Sequence, residues 1–325
     1  MSVQVLRPGM LTTLQDAGRP GYAALGIGRA GAMDMPAWRL ANALVGNSAG
    51  EATLEVTLQG PTLRFKRAAR IALTGAAIEA RVGDLPIPAW TAVDLPADSE
   101  LMLRGMRQGC RSYLAVRGGF AMPAVLGSRS EDLHARLGPL GGRALVAGDL
   151  LPLGESTGIA TIDRPRTRRW GVDPQPWFDF AMGPLALLPG SHAERLNASS
   201  RERLYTDRFR LAPSSNRTGA RLEGAVLSLA APLELVSEAV LPGTVQLPPS
   251  GQPIALLAEA PVTGGYPRIG QVAAADLPTL AQRRPGDRVQ FVPITLDEAL
   301  ERQHRREREL RRLVQRALDR GESER

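Results

Sequence analysis

The chain is poor in the residue types that most often link chains covalently or carry chemistry. Its 325 residues include one cysteine, Cys110. A single cysteine excludes an internal disulfide bond and favours a reducing compartment. The first residues show no charged lead followed by an apolar core, and no apolar run reaches membrane-spanning length. We therefore expect a cytoplasmic protein that does not associate with a membrane.

Lysine is almost absent, and this excludes two kinds of site. The only lysine in the sequence is Lys66, in LRFKRA. It follows neither the glycine-rich loop of a P-loop nor the methionine of the usual biotinylated Met-Lys pair. We predict that this chain alone neither cradles ATP in a P-loop nor carries a biotin attachment site.

Metal-ligand and nucleophile patterns are missing as well. His134, His192 and His304 lie far apart, and Cys110 has no nearby base in the sequence. No Cys or His pair has the spacing of a zinc site, and there is no Gly-x-Ser-x-Gly elbow. We predict no metal in this chain, and we expect structural or surface roles for these four residues.

The positive charge is carried by arginine. The net charge is +7, and many arginines gather in the C-terminal tail and in a candidate linker, at Arg164, Arg166, Arg168 and Arg169. No aromatic residues are interleaved with them, as they are in many nucleic-acid-binding stripes. We interpret these arginines as solvated surface and predict no nucleic-acid partner.

The pattern of short segments predicts a mainly β protein. The 34 glycines and 26 prolines favour frequent turns, and short β-rich or alternating segments fill both halves of the chain. An Arg- and Pro-rich stretch at about 155–176 separates the halves. We predict an N-terminal β-barrel domain at 1–165, a C-terminal one at 176–296, and a charged helix or tail at 297–325.

A few helices are expected between the strands. Asp34 is placed to cap a helix through PAWRLANALV, which Gly46 would end. Capping-box pairs predict two further helix starts, at Ser191 with Glu194 and at Thr295 with Glu298.

The two halves also echo one another. YLAVRGGFAMPAVLGS and IALLAEAPVTGGYPRIGQV each contain a strand pattern and then Gly-Gly-aromatic, and each half closes on Gly-Asp followed by apolar residues. We interpret this as an ancient duplication. Chance similarity among glycine-rich turns is the alternative.

Three segments combine glycines with polar side chains. The first is LTTLQDAGRPGY, which leads to AGAMD and contains Gln15, Asp16, Arg19 and Asp34. Glycines let a ligand approach the backbone, and Arg with Gln and Asp is suited to a carboxylate or carboxamide. The alternative is structural: Arg19 would pair with Asp16, and Asp34 would only cap its helix.

The other two segments lie in the second half. PSSNRTGARLEG places Asn216 and Arg217 among small residues, although a surface turn is the simpler interpretation. Amides, a hydroxyl and backbone N–H groups of the third segment would suit a small amide or its oxyanion, and polar packing inside a barrel is the alternative. The third segment is SEAVLPGTVQLPPSGQPIALLAEAPVTGGYPRIG, and it holds Glu238, Gln246, Gln252, Glu259, Thr263, Gly264, Gly265 and Tyr266.

These segments, in this order, resemble one family: the C subunit of 5-oxoprolinase, also named allophanate hydrolase subunit 2 or biotin-dependent carboxyltransferase. The resemblance rests on LTTLQDAGRPGY, AGAMD, ANALVGN, ATLEVTLQGP, YLAVRGG, LGSRS, SNRTGARLEG, SEAVLPGTVQLPPSGQPIALLAE and TGGYPRIGQVAAADLPTLAQRRPGD. It covers residues 5 to about 295, and part of the carboxyltransferase region of urea carboxylase is similar too.

The resemblance implies two tandem cyclophilin-like β-barrel domains. It implies a heteromeric complex with two further subunits, A and a kinase-inhibitor-like B, and this complex uses ATP to open 5-oxoproline to glutamate. We expect Arg19 or Arg217 to hold the substrate carboxylate, and Asp16 or Glu238 to transfer a proton or orient an arginine. We expect the amides and the hydroxyl of the third segment to stabilise negative charge on the reacting oxygen. All of these groups would line one groove that a companion chain completes.

The sequence departs from the family pattern at its most distinctive motif. Pro261 and Val262 replace an expected Gln-Thr before Thr263, Ala30 replaces a serine, and Thr218 replaces a methionine. Two alternatives stay open. One is a carboxyltransferase component acting on urea or a similar small amide with a separate biotin-carrying chain. The other is a non-catalytic antagonist that binds a kinase-inhibitor homologue.

Overall fold

The computed structural model describes residues 2–155, 162–174 and 183–323. The chain divides into two compact units, one formed by residues 1–19, 34–180 and 309–325, the other by 20–33 and 181–308. The boundaries predicted from the sequence, at 165 and 176, stay predictions. Residue 176 and the predicted start of the second domain at WFDFAM lie outside the described residues.

The first unit is built on one large sheet. Its strands are β1 (Ser2–Arg7), β2 (Leu11–Gln15), β3 (Thr53–Thr57), β4 (Thr62–Phe65), β5 (Ala69–Val82), β6 (Leu85–Pro86), β7 (Thr91–Leu95), β8 (Ser99–Val116), β9 (Leu150–Pro152) and β10 (Arg166–Gly171). The order is β10-β7-β5-β8-β4-β1-β9, with β3 joining β2 to β8 and β6 pairing with β5. One face of this sheet encloses the core, to which Val3, Leu54, Phe65 and Leu114 contribute.

The long pair β5 and β8 bends the sheet. Their antiparallel register runs from Ile71 opposite Val116 to Val82 opposite Leu101, and it shifts three times between Gly75 and Ala80. Gly75 has φ +81°, and a Cβ there would lie 2.5 Å from the Arg111 carbonyl oxygen. Since bulges increase local twist, this glycine permits the curvature that wraps the sheet around its core.

The second unit is a smaller sheet that is nearly closed. Its strands are β11 (Leu185–Pro189), β12 (Phe209–Leu211), β13 (Gly219–Glu223), β15 (Thr244–Gln246), β16 (Ile254–Leu256), β18 (Arg268–Val272), β19 (Arg288–Val289) and β20 (Phe291–Pro293), in the order β19-β12-β13-β16-β15-β18-β11-β20. A separate ribbon pairs β14 (Glu238–Ala239) with β17 (Thr263–Gly264). Phe209 and Phe291 pack in the core with ring centroids 6.1 Å apart.

Four α-helices accompany the strands of the described residues: α1 (Met35–Val45), α2 (Ala198–Thr206), α3 (Leu277–Ala281) and α4 (Leu296–Ser323). The predicted α1 is confirmed, with Asp34 accepting from the Ala37 N–H and Gly46 closing the C-terminus at φ +75°. The Thr295–Glu298 capping box is confirmed too. None of these helices is both long and apolar enough to cross a membrane.

One helix prediction is wrong. The pair Ser191 and Glu194 starts no α-helix. A short 3₁₀ turn at Ala193–Arg195 follows instead, and α2 begins later because the Asn197 side chain accepts from the Ser200 N–H. The charged region that the sequence predicted as a helix or tail forms α4, which continues for 28 residues. The predicted class, mainly β with two cyclophilin-like barrels, is confirmed.

The two Gly-Asp turns have the same local structure. In each, the Asp Oδ2 accepts from the backbone N–H three residues earlier, at 2.9 Å for Asp149 and 2.7 Å for Asp287. The preceding glycines, Gly148 and Gly286, have φ of +93° and +90°. This likeness supports the duplication inferred from the sequence.

Candidate functional site

The end of β2 carries Gln15 into the interior of the first unit. Its Nε2 donates to the Thr13 hydroxyl at 3.0 Å and to the Glu131 carbonyl at 2.9 Å. The carbonyl can only accept, so the amide orientation is fixed. The Gln15 Oε1 is buried and accepts no hydrogen bond from the described residues. An acceptor is therefore left over at a buried position.

Asp16 ties together two distant loops. Its carboxylate accepts from the Ser128 and Ser130 hydroxyls, both at 2.6 Å, and from the Arg129 and Gly18 N–H groups at 2.6 and 2.8 Å. With so many donors around it, the carboxylate is engaged in holding the LGSRS segment. This geometry favours an orienting role for Asp16 over proton transfer.

Arg19 lies close by and is almost completely buried. Its Nη2 donates to the Ser130 carbonyl, whereas Nε and Nη1 have no partner among the residues that the structure describes. The structural alternative, in which Arg19 pairs with Asp16, is wrong, because the Asp16 oxygens face Ser128, Ser130 and backbone N–H groups. Arg19 is the sequence-predicted residue with the most unused hydrogen-bonding capacity.

Asp34 belongs to a buried network at the start of α1. Its side chain caps the helix, and its N–H donates to the Tyr113 hydroxyl at 2.7 Å. That hydroxyl in turn donates to Glu55 Oε2 at 2.7 Å. Burial and then the Glu55 charge raise the pKa of Tyr113 well above its ordinary value. The Tyr113 phenol therefore keeps its proton. The contacts of this network support a structural role for Asp34.

Arg217 is held by partners within the second unit. Its Nε donates to Glu259 Oε1 in an ion pair whose two side chains are both buried, and its Nη2 donates to the Gly31 carbonyl at 2.7 Å. The backbone of Glu259 also donates to the Arg217 carbonyl at 2.9 Å. Arg217 thereby fastens the AGAMD segment, and its guanidinium is already neutralised by a carboxylate.

Asn216 and Gln252 hydrogen-bond to nearby backbone. The Asn216 Oδ1 accepts from the Thr218 and Gly219 N–H groups at 2.9 and 3.3 Å, which closes its own turn. Gln252 accepts from the Gly224 N–H at 2.9 Å and donates to the Gly224 carbonyl at 3.3 Å. These contacts support shaping roles for both side chains.

Gln246 and Gly264 form a second place with an unused polar group. Gln246, at the end of β15, is 5% exposed, and its Nε2 has no hydrogen-bond partner in the described part of the chain. A Cβ on Gly264 would lie 2.4 Å from this nitrogen. Only glycine lets the β14–β17 ribbon approach the amide so closely, which leaves a buried N–H donor facing the ribbon.

The remaining candidates lie on or beside this ribbon. Glu238 is exposed and forms an ion pair with Arg268, whose Nη1 donates to the Ala239 carbonyl at 3.2 Å. The Arg268 N–H donates to His192 Nδ1 at 3.2 Å. Burial, followed by the Arg268 charge, lowers the pKa of His192. Thr263, Gly265 and Tyr266 are exposed, whereas Gly264 is partly buried.

Two residues with central contacts, Glu131 and Arg268, were not named by the sequence analysis, and Glu259 was named only as a member of the third polar segment. Glu131 accepts from the Leu140 and Gly142 N–H groups, both at 2.7 Å, and burial raises its pKa while those N–H groups lower it. Glu259 neutralises Arg217, and Arg268 pairs with Glu238. Glu259 and Arg268 both lie within the third polar segment, whereas no pattern in the sequence pointed to Glu131.

Several of the predicted site residues therefore fall into two local groups. Gln15, Asp16 and Arg19 share the segment at Ser130 and Glu131, and Gln246 and Glu238 are associated with the ribbon of the second unit. The single groove expected from the sequence stays a prediction.

A match to a protein-family model defines the class of this protein. The family model described as "Carboxyltransferase domain, subdomain A and B" matches residues 25–293, and the chain belongs to this family. The resemblance stated from the sequence is confirmed.

Three individual proteins are similar to this chain over most of its length. The chain is 41% identical to the 5-oxoprolinase C subunit of Escherichia coli, over 96% of this chain and 97% of that protein. It is 36% identical to the 5-oxoprolinase C subunit of Haemophilus influenzae, over 96% and 98%. The crystal structure of Kluyveromyces lactis urea carboxylase matches with a TM-score of 0.88 at 27% identity, over 96% of this chain but 29% of that one.

Proposed function

We propose that this chain is one subunit of an ATP-dependent 5-oxoprolinase, inactive alone, that opens the lactam ring of 5-oxoproline to give glutamate, ADP and phosphate. The observation that carries the proposal is the 41% identity to the 5-oxoprolinase C subunit along nearly the full length of both chains. Its proposed partners, in the cytoplasm, are the A subunit of the complex and the kinase-inhibitor-like B subunit.

The ATP chemistry belongs to a partner or to an interface. Lys66 is exposed and directly follows β4, so the one lysine is not set in a phosphate-binding loop. Phosphorylation of the lactam oxygen, or of a related adduct, would make the ring carbon open to attack by water. This chain would contribute by binding and orienting the lactam.

We assign different tasks to the candidate residues. The buried Gln246 amide beside Gly264 would donate to oxyanion charge, together with Thr263 and the ribbon backbone, and its unused Nε2 donor supports this role. Glu238 is a better candidate for proton transfer than Asp16. The Glu238 carboxylate is exposed and forms an ion pair with Arg268, whereas the Asp16 carboxylate is surrounded by hydrogen-bond donors. Gln252 and Asn216 shape the surrounding turns.

A second candidate function is transfer of a carboxyl group from biotin to urea or a similar amide. The match to urea carboxylase and the description of the family model favour it. In that case a separate chain carries the biotin.

One experiment separates the two functions. The chain is combined with homologues of the A and B subunits from the same genome, ATP, bicarbonate and either 5-oxoproline or urea, and each assay is repeated with avidin. We expect ATP-dependent release of glutamate from 5-oxoproline that avidin does not inhibit. Turnover of urea alone, blocked by avidin, would replace the first function with the second.

A further inference from the structure

Arg19 has a buried positive charge that no carboxylate neutralises within residues 2–155, 162–174 and 183–323. Its side chain is 1% exposed. Nη2 donates to the Ser130 carbonyl, while Nε and Nη1 have no partner in those ranges. Removing a cation from water is strongly unfavourable unless a counter-charge or a full set of acceptors replaces the water. The position is therefore suited to an anion that is not part of the described chain.

Several other buried arginines are each paired with a carboxylate. Arg70 pairs with Asp94 at 2.6 Å, and Arg217 pairs with Glu259. Arg19 has Asp16 three residues before it, but that carboxylate is taken up by Ser128, Ser130 and backbone donors. Arg283 resembles Arg19 in part, since its Nη2 donates to the Gly183 carbonyl and its Nε has no partner among the described residues. Arg19 differs in that two of its nitrogens, Nε and Nη1, lack a described partner.

Gln15 adds an unused acceptor beside these donors. The Gln15 and Arg19 side chains are bound to consecutive carbonyls, of Glu131 and Ser130. Because consecutive Cα atoms are about 3.8 Å apart, both side chains are anchored at one short segment. The Gln15 Oε1 is buried without a donor among the described residues. One acceptor and two donor nitrogens thus remain at this segment.

We infer that Gln15 and Arg19 form a subsite for a small ligand that carries an N–H group next to a carboxylate. Arg19 binds the carboxylate, and the Gln15 Oε1 accepts from the N–H. A lactam with a carboxylate on the carbon beside its nitrogen has this arrangement, whereas urea has N–H groups but no charge. The identity of the ligand as 5-oxoproline rests on the proposed function, and the class of ligand rests on Arg19 and Gln15.

The chain that directly follows Arg19 is exposed and loosely packed. Residues 20–26 are exposed except for the partly buried Tyr22. A Cβ added to Gly21 or Gly26 would meet nothing within 4 Å, and both glycines have positive φ. Because loosely packed segments open at the lowest free-energy cost, this exposed stretch is where the chain next to Arg19 in the sequence rearranges most easily.

The test removes the carboxylate from the ligand and the guanidinium from the protein, separately and together. Binding of L-5-oxoproline and of 2-pyrrolidinone, which lacks the carboxylate, is measured by calorimetry without ATP. The complex with homologues of the A and B subunits contains the wild-type chain, Arg19→Gln, or Arg64→Gln as an exposed control. We expect wild type and the control to prefer L-5-oxoproline at least about 30-fold, and Arg19→Gln to prefer it about threefold or less.

Either of two results overturns the subsite: an undiminished preference in folded Arg19→Gln, or no preference in wild type. If circular dichroism shows that Arg19→Gln does not fold, Arg19→Lys takes its place and must reduce the preference. N-methyl-5-oxoproline tests Gln15 with the wild-type chain and should bind at least about tenfold more weakly; equal binding contradicts the role of Oε1. A wild-type complex that shows the preference but releases no glutamate with ATP refutes the proposed reaction and leaves the subsite in place.

Discussion

The buried arginines of this chain differ in what balances their charge, and this difference decides their roles. Arg217 faces Glu259 inside the second unit, whereas Arg19 meets only a backbone carbonyl among the described residues. A guanidinium already paired with a carboxylate has little capacity left for a substrate carboxylate. At the residue scale, Arg19 is suited to ligand binding and Arg217 to positioning the Gly31 segment.

Replacing Arg217 with alanine should therefore destabilise the fold. The change leaves the Glu259 carboxylate buried without its cation, and we expect the free energy of unfolding to fall by about 3–5 kcal/mol. Urea denaturation followed by circular dichroism measures the change. Arg64→Ala, which breaks an exposed pair with Glu100, should cost less than about 1 kcal/mol. An Arg217→Ala chain as stable as wild type would show that the ion pair is not a structural element.

Gly264 permits a second prediction at the residue scale. An alanine Cβ would lie 2.4 Å from Gln246 Nε2, so the amide must move away from the ribbon. If the amide donates to developing oxyanion charge, Gly264→Ala should lower kcat/KM of the reconstituted complex about 100-fold. Gly105→Ala, where a Cβ would meet nothing within 4 Å, provides the control. A kcat/KM within about twofold of wild type for Gly264→Ala removes the amide from the mechanism.

At the scale of elements, the short strands depend on loops that carboxylates organise. Asp16 holds the LGSRS segment, Glu131 holds the loop at Leu140 and Gly142, and Asp149 holds the turn before β9. The helix α1 could be predicted from the sequence, because the residues that cap and end it, Asp34 and Gly46, lie directly beside it. The Glu131 contacts had no such signal, since the loop that it organises shows no periodic pattern.

The Arg143–Asp149 ion pair makes the stability of the turn before β9 depend on pH. Arg143 Nη1 and Nη2 donate to the two Asp149 oxygens at 2.7 and 2.8 Å, and these hydrogen bonds lower the pKa of Asp149. A lowered folded-state pKa means that the stabilisation is present above the ordinary carboxyl pKa of about 4. It is lost as the pH falls through the folded value.

Comparison of wild type with Asp149→Asn measures this contribution. Because the Arg143 side chain is 42% exposed, we expect wild type to be more stable by no more than about 1 kcal/mol at about pH 7. The difference should shrink towards zero as the pH is lowered below about 4. Urea unfolding at several pH values from about 7 to about 3 tests it, and a difference that stays constant over this range would contradict the assignment.

At the scale of the whole molecule, the sequence predicted the β class and the family but not the division of the AGAMD motif. Ala30 to Met33 belong to the second unit, and Asp34 belongs to the first. The Gly31 carbonyl meets Arg217, 186 positions later, and no local pattern encodes a contact at that separation. Gly118 and Gly119 have positive φ, whereas Gly264 and Gly265 do not. The repeated Gly-Gly pairs therefore differ in backbone, although the Gly-Asp turns agree.

The proposed function is also a property at this scale, since it depends on partner chains. In the proposed function, the polar sites of this chain would bind and polarise the lactam, and the assembly would supply the ATP chemistry. An omission series measures this dependence most directly: glutamate and phosphate are quantified from 5-oxoproline and ATP with all three subunits, and again with each one left out. We predict equal amounts of both products from the complete mixture and neither coupled product when this chain is missing. Undiminished glutamate release without this chain would contradict the account.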